Sequence, residues 1–101
     1  MINQRISLPI EEIAQFCERH HIRRLSLFGS VLRDDFRPDS DIDVLVEFEA
    51  DAKVSLFDMG GMQIELTELM GREVDFKTAG FLSRYFRQKV IESAETIYER
   101  T

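Results

Sequence analysis

The chain is poor in cysteine and histidine, and each of these two scarcities argues against a kind of site. Its 101 residues include one cysteine, Cys17, and no tryptophan. A single cysteine cannot form an internal disulfide and agrees with a reducing compartment, so we expect a cytoplasmic protein in which Cys17 is a packing residue. The two histidines, His20 and His21, have no cysteine or histidine at ligand spacing, which argues against a zinc site.

Long apolar segments are also lacking. No stretch reaches the roughly 20 consecutive apolar residues that a membrane-spanning helix requires, and no signal-type apolar segment follows residues 1–5. We therefore expect no membrane association. A chain of this length suits one small domain with a modest core, which we predict to comprise residues 1–101.

Basic residues are outnumbered by acidic ones. The chain has 13 lysines and arginines against 19 aspartates and glutamates, and a net charge of −6. Proteins that bind nucleic acid usually carry a basic surface patch. The charge therefore disfavours direct binding to nucleic acid and favours a protein or a small molecule as the partner.

The most informative feature is a glycine and a serine that follow an apolar run. Leu25, Leu27 and Phe28 read as a buried strand that ends at Gly29. Gly29 permits a tight turn and the close approach of a ligand to the backbone, and Ser30 suits the start of a helical turn. Such a turn offers N–H groups and a hydroxyl to an anion, and Arg33 one turn later adds a guanidinium. We predict that Gly29, Ser30 and Arg33 bind the phosphates of a nucleotide.

Three carboxylates form the second part of the predicted site. Ten residues separate Ser30 from Asp41, which begins an alternating segment ending at Phe48. On a strand, Asp41 and Asp43 project to the same side, where oxygen ligands favour Mg²⁺. Asp75 lies on a later alternating segment and would face the same site if the two strands were neighbours. We therefore predict Asp41, Asp43 and Asp75 as metal ligands and catalytic residues.

These residues resemble the signature of the minimal nucleotidyltransferases of the DNA polymerase beta superfamily. That signature is Gly-Ser, ten residues and Asp-x-Asp, with a third aspartate on a later strand, and the match runs from about Arg23 to Lys77. One departure is Asp34, which stands where many members have glycine. The resemblance implies an α/β (α+β) fold: a small mixed β-sheet with helices packed on it.

The resemblance also implies a reaction and a partner. Gly29, Ser30 and Arg33 would contact the nucleotide, and the three aspartates would hold two Mg²⁺ ions. Asp75 would also activate the acceptor hydroxyl. Standalone members resemble the antitoxins of prokaryotic systems paired with HEPN-domain ribonuclease toxins. The implied function is transfer of AMP from ATP to a tyrosine hydroxyl of the toxin, within a hetero-oligomer. Two alternatives remain open: a non-catalytic binding antitoxin, and a nucleotidyltransferase that modifies a small molecule such as an aminoglycoside.

The remaining segments read as scaffold. Apolar spacing predicts a helix opening at Pro9, a second over Val54–Met70, a third over Gly80–Ser93 and a short edge strand over Ala94–Tyr98. The second helix is apolar around much of its circumference and contains two adjacent glycines. We expect close packing on the sheet, or a break at the glycines, in preference to a surface for a partner.

Overall fold

The computed structural model describes residues 8–32, 41–82 and 84–100, apart from the side chains of Ser30, Val31 and Phe81. Three helices and four strands lie within these residues. In chain order they are α1 (Ile10–Arg19), β1 (Ile22–Phe28), β2 (Ile42–Phe48), α2 (Leu56–Met70), β3 (Val74–Thr78), α3 (Arg84–Ser93) and β4 (Glu95–Glu99). A 3₁₀ turn follows β1 at Gly29–Leu32, and another follows β3 at Ala79–Phe81. None of the described helices is long and apolar enough to cross a membrane.

The four strands form one mixed sheet in the order β3-β2-β1-β4. Strand β1 runs antiparallel to β2 and to β4, whereas β2 and β3 are parallel. The parallel pair is joined through α2, as a crossover between parallel strands requires. This topology brings the C-terminal end of β1 and the N-terminal ends of β2 and β3 to one end of the sheet. The predicted α+β fold is confirmed.

Helices α1 and α2 cover one face of the sheet and enclose the core. Alternate residues of β2 point into it, beginning with Ile42, Val44 and Val46, as expected for period-two strands. The other fully enclosed side chains come from both helices and the remaining strands, and include Ile13, Phe16, Cys17, Leu25, Leu27, Leu66 and Val74. Burial of Cys17 raises the pKa of its thiol to about 12, so it is a packing residue, as predicted.

Local sequence sets the ends of α2. The hydroxyl of Ser55 accepts a hydrogen bond from the Asp58 N–H at 3.0 Å, and the Asp58 carboxylate accepts one from the Ser55 N–H at 3.0 Å. This reciprocal pair caps two N–H groups that the first helical turn leaves without partners. At the other end Gly71 adopts a left-handed conformation with φ of 72°, and its N–H donates to the Thr67 carbonyl. The chain then turns directly into β3.

Helix α3 lies over part of the opposite face. Leu45 points to this face yet is only 7% exposed, and it lines a cavity of about 190 Å³ with Ile91 of α3 and Ala94, the residue after α3. Nearby, Arg24 forms ion pairs with Glu47 at 3.2 Å and with Glu99 at 2.6 Å. These pairs tie β1 to the strands on both sides. The predicted third helix and edge strand are both present.

Helix α2 departs from what its sequence predicts. It continues unbroken through Gly60 and Gly61, and it does not bury all of its apolar residues. Leu56, Phe57 and Ile64 are 70%, 91% and 65% exposed. The sheet can cover only one side of a helix, and here that side is formed by Met62, Leu66 and Met70. The expectation of full packing or a break was therefore wrong for the outer side.

The two glycines of α2 generate a stability prediction. A Cβ added at Gly60 or Gly61 meets nothing within 4 Å, and neither residue has a positive φ. Glycine costs a helix roughly 1 kcal/mol relative to alanine. We expect Gly60→Ala to raise the free energy of unfolding by about that amount, measured by urea denaturation. If the substitution instead lowered the free energy of unfolding by about 1 kcal/mol or more, the helix would not run through Gly60 as described.

Candidate active site

Gly29 and Asp43 form the centre of the candidate site. Phe28, the last residue of β1, pairs with Asp43 across the antiparallel ladder, so the turn at Gly29 lies beside the Asp43 side chain. A Cβ at Gly29 would collide with Oδ2 of Asp43 and lie 3.1 Å from its Cγ, and Gly29 has a φ of 76°. Two independent constraints thus require glycine: the left-handed backbone and the space taken by the carboxylate. Asp43 is half-buried as a result.

Asp75 lies next to Asp43 on the neighbouring strand. The parallel register pairs Asp43 with Asp75, Ile42 with Val74 and Val44 with Phe76. Register partners on parallel strands project to the same face and lie about 4.8 Å apart in the hydrogen-bonding direction. The two carboxylates therefore share one face at one end of the sheet. The condition on which the sequence placed Asp75 at the site, that its strand lies beside the strand of Asp43, is met.

A lysine that sequence reasoning left without a role contacts Asp75. Lys77 follows two residues later on the same face, and its Nζ lies 3.2 Å from Oδ2 of Asp75. Both side chains are partly exposed, so the pair adds little to stability. The pair places a positive charge beside one oxygen of Asp75. The period-two spacing from Asp75 was the signal that could have identified it.

The other predicted site residues are described only in part. Asp41 lies immediately before β2 and is exposed, two residues from Asp43. Ser30 belongs to the 3₁₀ turn that begins at Gly29, but its side chain lies outside the described part of the chain. Arg33, and Asp34 beside it, also lie outside the described residues. The roles of Ser30 and Arg33 at the phosphates, and of Asp41 at a metal ion, stay predictions.

The described carboxylates fit a hard divalent cation. Oxygen ligands from a few carboxylates, completed by substrate phosphates, are what Mg²⁺ takes in nucleotide sites. Among the described residues no three His, Cys, Asp or Glu side chains already converge on one point. Asp43 and Asp75 nevertheless stand in register, and the space that a Cβ would occupy at Gly29 is filled by Asp43. The arrangement suits a cation that arrives together with a phosphate ligand.

Other chemistry-bearing side chains lie elsewhere. His20 contacts Oε1 of Glu65 at 3.0 Å, and Arg19 pairs with the second oxygen of the same carboxylate. Arg19 is the main reason that the pKa of Glu65 is lowered. This group lines a pocket of about 500 Å³ at the C-terminal end of α1. Since α1 leads into the start of β1, the pocket is at the opposite end of the sheet from Gly29.

Comparison with known proteins decides the family. The profile of the family described as "Nucleotidyltransferase domain" matches residues 10–98, which include both carboxylate strands and the Gly29 turn. The chain belongs to the nucleotidyltransferase family. This nucleotidyltransferase is therefore an enzyme by family, and the resemblance drawn from its Gly-Ser and Asp-x-Asp residues is confirmed.

Two archaeal relatives share most of its length. A Methanocaldococcus jannaschii protein named as a candidate protein adenylyltransferase is 37% identical over 76 residues, which is 75% of this chain and 80% of the relative. The protein adenylyltransferase MntA of Thermococcus cleftensis is 33% identical over 85 residues, which is 80% of this chain and 78% of that protein.

Solved structures give the same fold. A structure described as a candidate minimal nucleotidyltransferase is 35% identical, with a TM-score of 0.69, and the match covers 84% of this chain and 85% of that one. A more distant neighbour is a tri-AMPylated Shewanella oneidensis HEPN toxin in complex with its MNT antitoxin. There the identity is 19% and the TM-score 0.66, over 90% of this chain and 70% of that one. The second likeness shows the fold alone.

The close approach of Gly29 to Asp43 yields a prediction with a matched control. Gly29 and Gly71 have similar positive φ values, but a Cβ at Gly71 meets nothing within 4 Å. An alanine at either position is expected to lose about 1–2 kcal/mol of stability for its left-handed backbone. Only Gly29→Ala also displaces the Asp43 carboxylate.

We expect Gly29→Ala to be the less stable variant in urea denaturation. We also expect it to lose the rise in melting temperature that Mg²⁺ and ATP give the wild type, whereas Gly71→Ala keeps that rise. Equal behaviour of the two variants in both measurements would contradict the described packing of Asp43 on Gly29.

Proposed function

We propose that this nucleotidyltransferase transfers AMP from ATP to a tyrosine hydroxyl of a HEPN ribonuclease toxin and so acts as its antitoxin. The observation that carries the proposal is the Asp43 carboxylate packed on Gly29 and in register with Asp75. The names of the relatives, protein adenylyltransferase and MNT antitoxin, support the choice of AMP and of a toxin as acceptor. We place the reaction in the cytoplasm.

The reaction is an in-line displacement at the α-phosphorus of ATP. A bond forms between the acceptor oxygen and the α-phosphorus, the bond from that phosphorus to the bridging oxygen breaks, and pyrophosphate leaves. In this proposal the Gly29 turn lets the triphosphate approach the backbone, with Ser30 and Arg33 on its phosphates. Asp75 accepts the proton of the attacking hydroxyl. Most of the acceleration then comes from positioning the two reactants.

Asp41, Asp43 and Asp75 would hold two Mg²⁺ ions. When bound, these ions supply neutralisation of the charge that develops on the triphosphate and the leaving group. Asp43 is held most firmly by its surroundings, since the Gly29 turn and β3 flank it on either side. Asp41, exposed immediately before β2, would supply a further carboxylate to these ions.

The net charge of −6 favours a protein acceptor over nucleic acid. A ribonuclease must attract RNA, so its active surface is basic, and an acidic partner suits it. We propose that the chain works as one domain and forms a hetero-oligomer with the toxin during the reaction.

Removal of the Asp43 carboxylate tests the function. Purified protein is incubated with Mg²⁺, ATP labelled at the α-phosphate and a lysate of the source organism. Wild type should label a discrete protein band on a tyrosine. Asp43→Ala should lower the labelling rate by roughly 100-fold or more, because preorganised charge stabilisation is lost, while its circular dichroism spectrum stays that of the wild type.

The matched control is Asp51→Ala, which removes an exposed carboxylate from the turn after β2. It should label at the wild-type rate. If Asp43→Ala labelled the acceptor at the wild-type rate, Asp43 would not be a catalytic residue. Protection from the toxin by Asp43→Ala without labelling would instead favour the binding antitoxin, and label on a small molecule with no labelled protein would favour the aminoglycoside-type enzyme.

A further inference from the structure

Lys77 places a positive charge on the face of the sheet that carries the candidate site. Asp75 and Lys77 are two residues apart on β3 and therefore project to the same face. The parallel register sets Asp75 beside Asp43 and Lys77 beside Leu45. The backbone of Lys77 thus lies about 7 Å along the strands from the two carboxylates. Its side chain reaches back and brings Nζ to 3.2 Å from Oδ2 of Asp75.

This contact offsets a repulsion that the fold creates. Asp43 and Asp75 stand in register on neighbouring strands, and like charges directly opposite each other are destabilising. The Lys77 ammonium beside Asp75 reduces that repulsion when no metal ion is bound. In the proposed reaction, Mg²⁺ supplies positive charge at the same carboxylates. The ammonium group and the metal ion therefore serve the same acidic pair.

Lys77 opposes a divalent cation at either oxygen of Asp75. A cation that binds Oδ2 must displace the ammonium group from that oxygen. A cation that binds Oδ1 lies close to a second positive charge, and like charges at such a short distance repel each other. The side chains of Lys77 and Asp75 are 39% and 43% exposed, so their ion pair is weak and a metal ion can displace it. Lys77 therefore lowers the affinity for a free metal ion without closing the site.

A lysine on an edge strand also has a simpler explanation. β3 is an outer strand of the sheet, and lysines on edge strands prevent pairing with another chain. That role requires a charge at the free edge and no contact with a carboxylate of the site. The approach of Nζ to Asp75 favours a role at the site. The two roles differ in what they predict for metal binding.

We propose that Lys77 is a resident cation at Asp75 that competes with the divalent metal ion, an inference that rests on the proposed function. Lys77 is a positioning residue in this proposal, since it acts on the metal site through Asp75. Because it weakens the binding of free Mg²⁺, the ion depends on the additional oxygen ligands of the nucleotide phosphates. The metal ion then enters the site together with ATP.

Binding of Mn²⁺ without nucleotide tests the proposal independently of activity. Mn²⁺ prefers oxygen ligands, as Mg²⁺ does, and free Mn²⁺ is measured by electron paramagnetic resonance. Lys77→Met removes the charge and keeps an unbranched side chain. We expect this variant to bind Mn²⁺ about fivefold more tightly than the wild type, an effect of the size that an exposed ion pair allows. Lys77→Arg keeps the charge and should bind Mn²⁺ as the wild type does.

Lys53→Met is the matched control. It makes the same change in net charge at the other end of the sheet, where Lys53 lines the pocket with His20 and Glu65. Its Mn²⁺ affinity should equal that of the wild type. Asp75→Asn shows whether the effect passes through Asp75, because Lys77→Met should no longer tighten Mn²⁺ binding in that background. Circular dichroism checks that each variant is folded.

An unchanged Mn²⁺ affinity in Lys77→Met would overturn the proposal and leave Lys77 as a residue that protects the edge of the sheet. Equal tightening in Lys53→Met would also overturn it, because net charge alone would then explain the effect. If the wild type labels a protein while Lys77→Met binds Mn²⁺ like the wild type, the proposed function stands and this inference fails. If the wild type labels no protein, the proposed function fails whatever the titration shows.

Discussion

The contact between the Asp43 carboxylate and the backbone of Gly29 is the constraint on which the site depends. It joins the end of β1 to the start of β2, at the point where Phe28 and Asp43 pair. Any side chain at Gly29 would occupy the space of the carboxylate, and the positive φ independently favours glycine. The turn is therefore shaped by the acid beside it, and the acid is half-buried against the turn.

The parallel pairing of β2 with β3 extends this constraint to the second carboxylate. Asp75 reaches its position because α2 carries the chain back along the sheet and ends at the left-handed Gly71, three residues before β3. The capping box at Ser55 and Gly71 at the other end set the length of α2. A shift of one residue in register would send Asp75 to the core face. The scaffold thus decides which acid stands beside Asp43.

Sequence alone predicted the parts of the site that follow from local pattern. Turn chemistry indicated Gly29, and a period of two indicated Asp43 and Asp75, but the contact between Gly29 and Asp43 emerged only from the structure. The alternation of residues along β2 assigns each side chain to a face of the sheet but does not show what packs on that face. The burial of Leu45 beneath α3 was therefore not predicted. Because α2 is apolar around much of its circumference, its sequence does not show which side packs on the sheet. The exposure of Phe57 therefore emerged only from the structure. The long side chain of Lys77 could be placed on a face but not paired with an oxygen.

If this site transfers a nucleotidyl group, the phosphorus that the acceptor gains is the α-phosphorus of ATP. Wild-type protein, Mg²⁺ and lysate are incubated in parallel with ATP labelled at the α-phosphate and with ATP labelled at the γ-phosphate. We expect one protein band that needs Asp43, present with wild type and missing with Asp43→Ala, to take its label from the α-labelled nucleotide alone, while the γ-label of that reaction leaves in pyrophosphate. If the band that needs Asp43 took its label from the γ-phosphate, with none from the α-phosphate, the reaction would be phosphoryl transfer and nucleotidyl transfer would be contradicted.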